Sequence, residues 1–163
     1  MSGEGTVRVQ HQRVGWIRLP ADEVLHFREL PGFPEARRFA LLGDPGDSPF
    51  LWLCCLDRLD LAFAVTDPRV FFPDYAPELA PEALAAVGAE SATEVQLLAL
   101  LSIQGDRGFL NLAAPLLVNR SSRHGIQLIL EGGGYELRAP LPGASGGRPA
   151  SAAGTQMESK PQR

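Results

Sequence analysis

Two adjacent thiols, Cys54 and Cys55, and three histidines, His11, His26 and His124, carry the most reactive chemistry in this sequence. A nucleophilic thiol needs a base or an electropositive setting to lower its pKa. No histidine stands at a spacing that ties it to the pair. The cysteines lie in an apolar run of strand length, residues 50–56, so their side chains point to opposite faces. One is expected in the core and the other half-exposed. The same residues give no CxxC, HxxxH or HExxH spacing for a metal. There is no GxSxG, no Walker-type Gly-Lys-Ser/Thr and no Gly-rich loop between a strand and a helix. Gly132-Gly133-Gly134 follows a strand and reads as a turn. The carboxylates are dispersed over loops, with no pair set for acid–base work. The residue types thus point to no catalytic site, no metal and no cofactor.

The elements that would position any site are short. Apolar runs at 6–10, 14–19, 24–27, 39–42, 50–56 and 61–66 are separated by Gly, Pro and Asp, the pattern of an antiparallel β domain. Asp57-Arg58-Leu59-Asp60 reads as a hairpin turn between the last two. One helix is expected between Pro81, suited to a first helical turn, and Gly88, suited to closing one. Residues 95–103 are dense in apolar side chains and fit a buried strand, although their Leu and Ala content also fits a helix. Strands follow at 109–112, 116–119 and 126–131, with a short edge strand at 135–138. Pro115 marks a bend or an edge. With no βαβ spacing, this is a mainly β protein, a small antiparallel β-barrel-like domain with one short helix.

The 163 residues suit one domain. From about Ala139 onward, Pro, Gly, Ala and Ser prevail, with Leu141 and Met157 the only large apolar residues. The expected division is therefore a β domain at 1–138 and a disordered tail at 139–163. The formal net charge is −4. Arg148, Lys160 and Arg163 against Glu158 make the tail +2 and leave the first 138 residues at −6. An acidic body argues against nucleic-acid binding, which draws its affinity from Lys and Arg along phosphates. No apolar run approaches the ~20 residues that span a bilayer. The N-terminus lacks the basic and apolar regions of a signal peptide, so a cytoplasmic protein is expected, with no membrane partner.

Binding features are richer. Residues 67–75 carry Phe71, Phe72 and Tyr75 in a stretch punctuated by two prolines, and such a loop either plugs the core or presents an adhesive surface. At least one Phe is expected inside, with Tyr75, beside Asp74, as a partner contact. Residues 119–125, Asn-Arg-Ser-Ser-Arg-His-Gly, form a polar, locally basic segment between strands. It is either a plain hairpin loop with Gly125 at positive φ or a binding loop.

Three blocks together resemble the flagellar assembly factor FliW family. They are Phe27-Arg28-Glu29-Leu30-Pro31-Gly32-Phe33; Asp60-Leu61-Ala62-Phe63 running on to Asp67-Pro68 and Phe71-Phe72-Pro73-Asp74-Tyr75; and Asn111-Leu112-Ala113-Ala114-Pro115-Leu116 with Asn119, Arg123, Gly125 and Gln127. The match covers roughly residues 6–131. Cys54-Cys55, Phe109-Leu110 and Arg120 depart from the family pattern.

The resemblance implies a non-enzymatic, monomeric β-barrel protein. It would bind flagellin before export and, when freed, bind and antagonise CsrA, a small basic RNA-binding translational repressor. Mutually exclusive complexes of this kind give negative linkage between the two ligands. The candidate partner-binding residues are Phe72, Asp74, Tyr75, Asn119, Arg123 and Gln127. Charge reversal at Asp74 with Tyr75→Ala is expected to weaken at least one complex and leave the fold intact. A flagellin chaperone without a regulatory arm and a small β-barrel ligand-binding protein or enzyme are the competing readings.

Overall fold

The structure, a computed structural model, describes residues 5–142 except Glu29 and Pro45. It opens with a hairpin of β1 (Thr6–His11) and β2 (Gly15–Pro20). In β2, Ile17 and Leu19 are buried while Trp16 and Arg18 are exposed, the period-2 alternation of a strand with one face on a core. The chain continues through β3 (Leu25–Phe27), β4 (Arg38–Leu42), β5 (Phe50–Cys55) and β6 (Ala62–Thr66). An excursion over residues 67–94 contains α1 (Pro81–Ala86). Then come β7 (Val95–Gln104), β8 (Arg107–Leu110), β9 (Leu116–Asn119), β10 (His124–Gln127) and β11 (Ala139–Pro140).

Seven strands close a barrel in the order β3-β4-β5-β6-β7-β9-β10 and back to β3. Six neighbouring pairs are antiparallel and the closing pair, β10 with β3, is parallel. The parallel seam is a matter of parity, because an odd ring of strands cannot alternate direction all the way round. At this seam Gly125 lies opposite Phe27. A Cβ on Gly125 would stand 2.6 Å from Phe27 Cζ, so glycine leaves the room that the buried Phe27 ring occupies. The expected positive φ at Gly125 is therefore not its role. That conformation falls to Arg123, at φ +64°.

The core has three layers. Phe27, Phe39, Leu53, Cys55, Val65, Leu98, Leu116 and Val118 form one buried cluster inside the barrel. Outside β4 and β5, Ala40, Cys54 and Leu56 pack with Ile17, Leu19 and Val24 around the β1–β2 hairpin. Cys54 and Cys55 do face opposite ways, but both are fully buried because the hairpin covers the outer face. No half-exposed thiol results. A third cluster joins Val95, Leu97, Ala99 and Leu117 to Phe50, Tyr75 and Val87, roofed by the excursion that carries α1. Strand β7 is thus buried on both faces over its first half, and an apolar run without alternation follows.

The folded body also runs past residue 138. Ala139 pairs with Leu110 across β11 and β8, and Ala139 and Leu141 are both buried. The short edge strand therefore sits at Ala139–Pro140, not at 135–138. The expected disordered tail, from 143 on, lies outside the described residues.

Candidate functional site

The two loops singled out in the sequence have different work. Asp67 caps the 3-10 turn Pro68–Val70 by accepting a hydrogen bond from Arg69 N at 2.9 Å. The turn delivers Phe71 onto Phe50, with ring centroids 5.4 Å apart, and Phe72 half-buried against the same cluster. Both phenylalanines serve packing. Tyr75 is only 4% exposed, and its hydroxyl donates to the Leu112 carbonyl at 2.7 Å. Its ring meets Tyr135 edge-on, with centroids 4.9 Å apart. Burial pushes the phenol pKa up, so the hydroxyl stays a donor at any physiological pH. Tyr75 is therefore a core brace and not the partner contact expected from its place beside Asp74. Truncating it would unsettle the fold. Asp74 is exposed.

The 119–127 segment is held to the end of α1. Buried Asn119 donates from Nδ2 to Val87 O at 2.9 Å, and its Oδ1 accepts from Ser121 N at 2.9 Å. Ser122 Oγ donates to the same Val87 carbonyl at 2.8 Å. Gln127 Nε2 donates to Ala114 O at 2.9 Å. Asn119 and Gln127 thus fix backbone, and Arg123 shapes the turn through its left-handed conformation. Of the six candidates, Asp74 alone is fully exposed.

The surface with room for a partner was not legible as such in the sequence. It is a groove of about 470 Å³ between residues 77–83 and 128–135, lined by Pro77, Ala83, Leu130 and Tyr135 and rimmed by Glu78 and Glu131. Residues 128–131, expected to continue a strand, instead hang on two hydrogen bonds, Leu128 N to Pro115 O (2.8 Å) and Leu130 N to Ala113 O (2.9 Å). This alternation turns Leu128 and Leu130 half inward and leaves Ile129 61% exposed beside the groove. The one signal in the sequence was the pairing of Leu128-Ile129-Leu130 with Glu131 and the glycine run. An apolar floor with an acidic rim suits a partner segment that is both apolar and basic.

The reactive groups of the sequence are occupied elsewhere. Burial pushes the Cys54 thiol up to about 12, and burial raises Cys55 as well. His11 Nε2 lies 2.9 Å from Leu61 O while Nδ1 accepts from Arg13 N at 3.1 Å, which assigns the neutral tautomer with the proton on Nε2. Neither thiol is activated for attack. Among the described residues no three His, Cys, Asp or Glu side chains converge to hold a metal ion.

Fold and site define a small closed β-barrel whose accessible features are open surface grooves. A profile of the family described as "FliW protein" matches residues 8–141. The chain is 34% identical over 131 residues to the flagellar assembly factor FliW of Caldanaerobacter subterraneus subsp. tengcongensis, covering 78% of this chain and 87% of that one. It is 39% identical over 124 residues to the protein of the same name from Symbiobacterium thermophilum, covering 74% and 90%. A crystal structure of the flagellar assembly factor FliW superimposes with a TM-score of 0.77 at 27% identity, over 83% of this chain and 96% of that chain. The chain belongs to the FliW family.

Proposed function

We propose that this protein serves flagellar assembly by binding flagellin, and that in its free form it binds CsrA and relieves repression of flagellin synthesis. The observation that carries the reading is the groove beside α1, with its apolar floor and the Glu78 and Glu131 rim. It lies within the span matched by the family. The first 138 residues carry a net −6, which steers a basic partner such as CsrA towards the molecule and makes association fast at low salt. An apolar floor with exposed Ile129 beside it suits the face of an amphipathic segment. Two partners that need one groove exclude each other, and this exclusion alone produces the switch. No catalytic step is involved, and the site of action is the cytoplasm, where flagellin and CsrA are made.

The test is calorimetric titration of the protein with CsrA from the same organism, with and without saturating flagellin. CsrA binding that flagellin abolishes is expected. Glu78→Lys with Glu131→Lys should weaken CsrA binding about tenfold or more, chiefly through a slower, less salt-sensitive association. If CsrA fails to bind at low salt while flagellin binds, the protein is a flagellin chaperone without the regulatory arm. If neither binds, the reading fails.

A further inference from the structure

At the C-terminal end of α1 lies a cleft of about 480 Å³ whose character is opposite to that of the groove. It is built on the parallel seam of the barrel and lined by His26, Arg28, Arg37 and His124, with Phe27 and Val87 as apolar surface. His26 faces His124 across the seam, their ring centroids 6.1 Å apart. To the described residues Arg28 makes one long contact, from Nη2 to Ala86 O at 3.4 Å, and Arg37 another, from Nε to Pro34 O at 3.4 Å. A guanidinium has five N–H donors, so most of their capacity points elsewhere.

Among the described residues the lining contains no carboxylate. The nearby Asp57 is occupied: it accepts from Arg37 N at 3.0 Å, Arg38 N at 2.7 Å and Arg38 Nε at 3.0 Å. Burial works against its ionisation, but these donors outweigh it and hold the carboxyl below its usual range. Four groups that are or can become cationic thus converge on one cleft of a body whose net charge is −6.

We infer that this cleft binds a small phosphorylated solute, its phosphate held by Arg28 and Arg37 with the two histidine rings as further donors. Planar guanidinium groups match a phosphate with paired N–H···O bonds. Phe27 and Val87 offer apolar surface to the organic part of the ester. The size lies within the about 300–1,000 Å³ of small-ligand clefts. Two features exclude larger ligands. The acidic body repels an extended polyanion. A peptide strand finds no partner at the seam, because His26 N already bonds Arg123 O (2.8 Å) and Arg28 N bonds Gly125 O (3.4 Å). The inference does not depend on the flagellar role.

Phenyl phosphate, titrated into the full chain and followed by NMR on the Gly88 and Gly125 amides and the His26 and His124 ring protons, tests it. Saturable shifts with a sub-millimolar Kd are expected, together with a rise in the pKa of His26 on binding. Arg37→Gln should weaken binding about tenfold or more, the effect of losing charge-assisted hydrogen bonds. Arg28→Gln should do likewise. If the loss of its Ala86 contact lowers the melting temperature, Arg37→Gln alone decides, since among the described residues its side chain bonds only the Pro34 carbonyl. Glu78→Gln, in the groove, should leave the affinity unchanged. The inference is overturned by the absence of saturable shifts, by binding that survives in Arg28→Gln/Arg37→Gln, or by a short acidic peptide binding where phenyl phosphate does not.

Discussion

The groove and the cleft share one six-residue helix and differ in almost everything else. Ala80 and Ala83 border the acidic-rimmed groove, and Ala86 with Val87 and Gly88 borders the basic cleft. The groove lies between the segment that enters α1 and the irregular segment 128–135, braced by Tyr75, which reaches both Tyr135 and the Leu112 carbonyl. The cleft is made of barrel backbone, where β10 meets β3 and no side chain fits at Gly125. A net charge therefore says little about a protein this small. The same chain sets two glutamates along one depression and two arginines along the other. The groove suits a partner that arrives as a flexible segment, and the cleft suits a ligand of fixed shape.

The largest effect should come from removing the brace. Tyr75→Ala deletes a buried ring and its hydrogen bond, and should cost about 3–5 kcal/mol in denaturant unfolding. Tyr75→Phe, which loses only the hydroxyl, should cost about 1 kcal/mol. If the two variants cost the same, the hydrogen bond and not the ring holds the groove. If either abolishes phenyl phosphate binding in protein that remains folded, the two regions are not independent.

The next effect strikes the seam. Gly125→Ala places a Cβ against the Phe27 ring and should destabilise by about 1–3 kcal/mol, as overpacking does. Phe27→Leu in the same chain should recover part of that loss beyond the sum of the single changes. Strict additivity in this double-mutant cycle would show that the close approach is not what fixes glycine there.

The smallest effect is set by pH. Burial is the main cause lowering the pKa of His26, with His124 and Arg38 adding to it and Asp57 opposing. Burial likewise lowers His11. Near pH 6.5 the unfolded chain therefore binds protons more readily than the folded one. The stability from these neutral rings is present above that pH and is lost as the pH falls through it. Melting temperature should drop modestly between about pH 7.5 and pH 5.5. His26→Gln should flatten the drop without moving affinity at the groove. A melting temperature that rises on acidification would contradict the burial of His11 and the desolvation of His26.

Parts of this were legible beforehand. The strand positions up to residue 66, the turn at Asp57-Arg58-Leu59-Asp60, the helix opened by Pro81 and the mainly β class follow from local spacing, because period-2 alternation and turn residues act over a few neighbours. The family resemblance was equally readable, in three blocks whose order and spacing do not depend on contacts. The ambiguity of β7 and the half-exposed thiol expected at the cysteines have one cause. A strand's pattern reports how many of its faces are covered, and the covering elements, the β1–β2 hairpin and the excursion carrying α1, are remote in sequence.

Tyr75 misled for the same reason, since the adjacent Asp74 indicates a surface while its partner, Leu112, is 37 residues away. The amino-acid sequence by itself determined the class, the elements and the kinship of this protein, all properties of short windows of chain. Only the tertiary structure decided which face each element buries and why Gly125 is glycine. It also decided how an acidic chain gathers four basic side chains beside one helix, because closing a seven-stranded ring unites segments that nothing local relates.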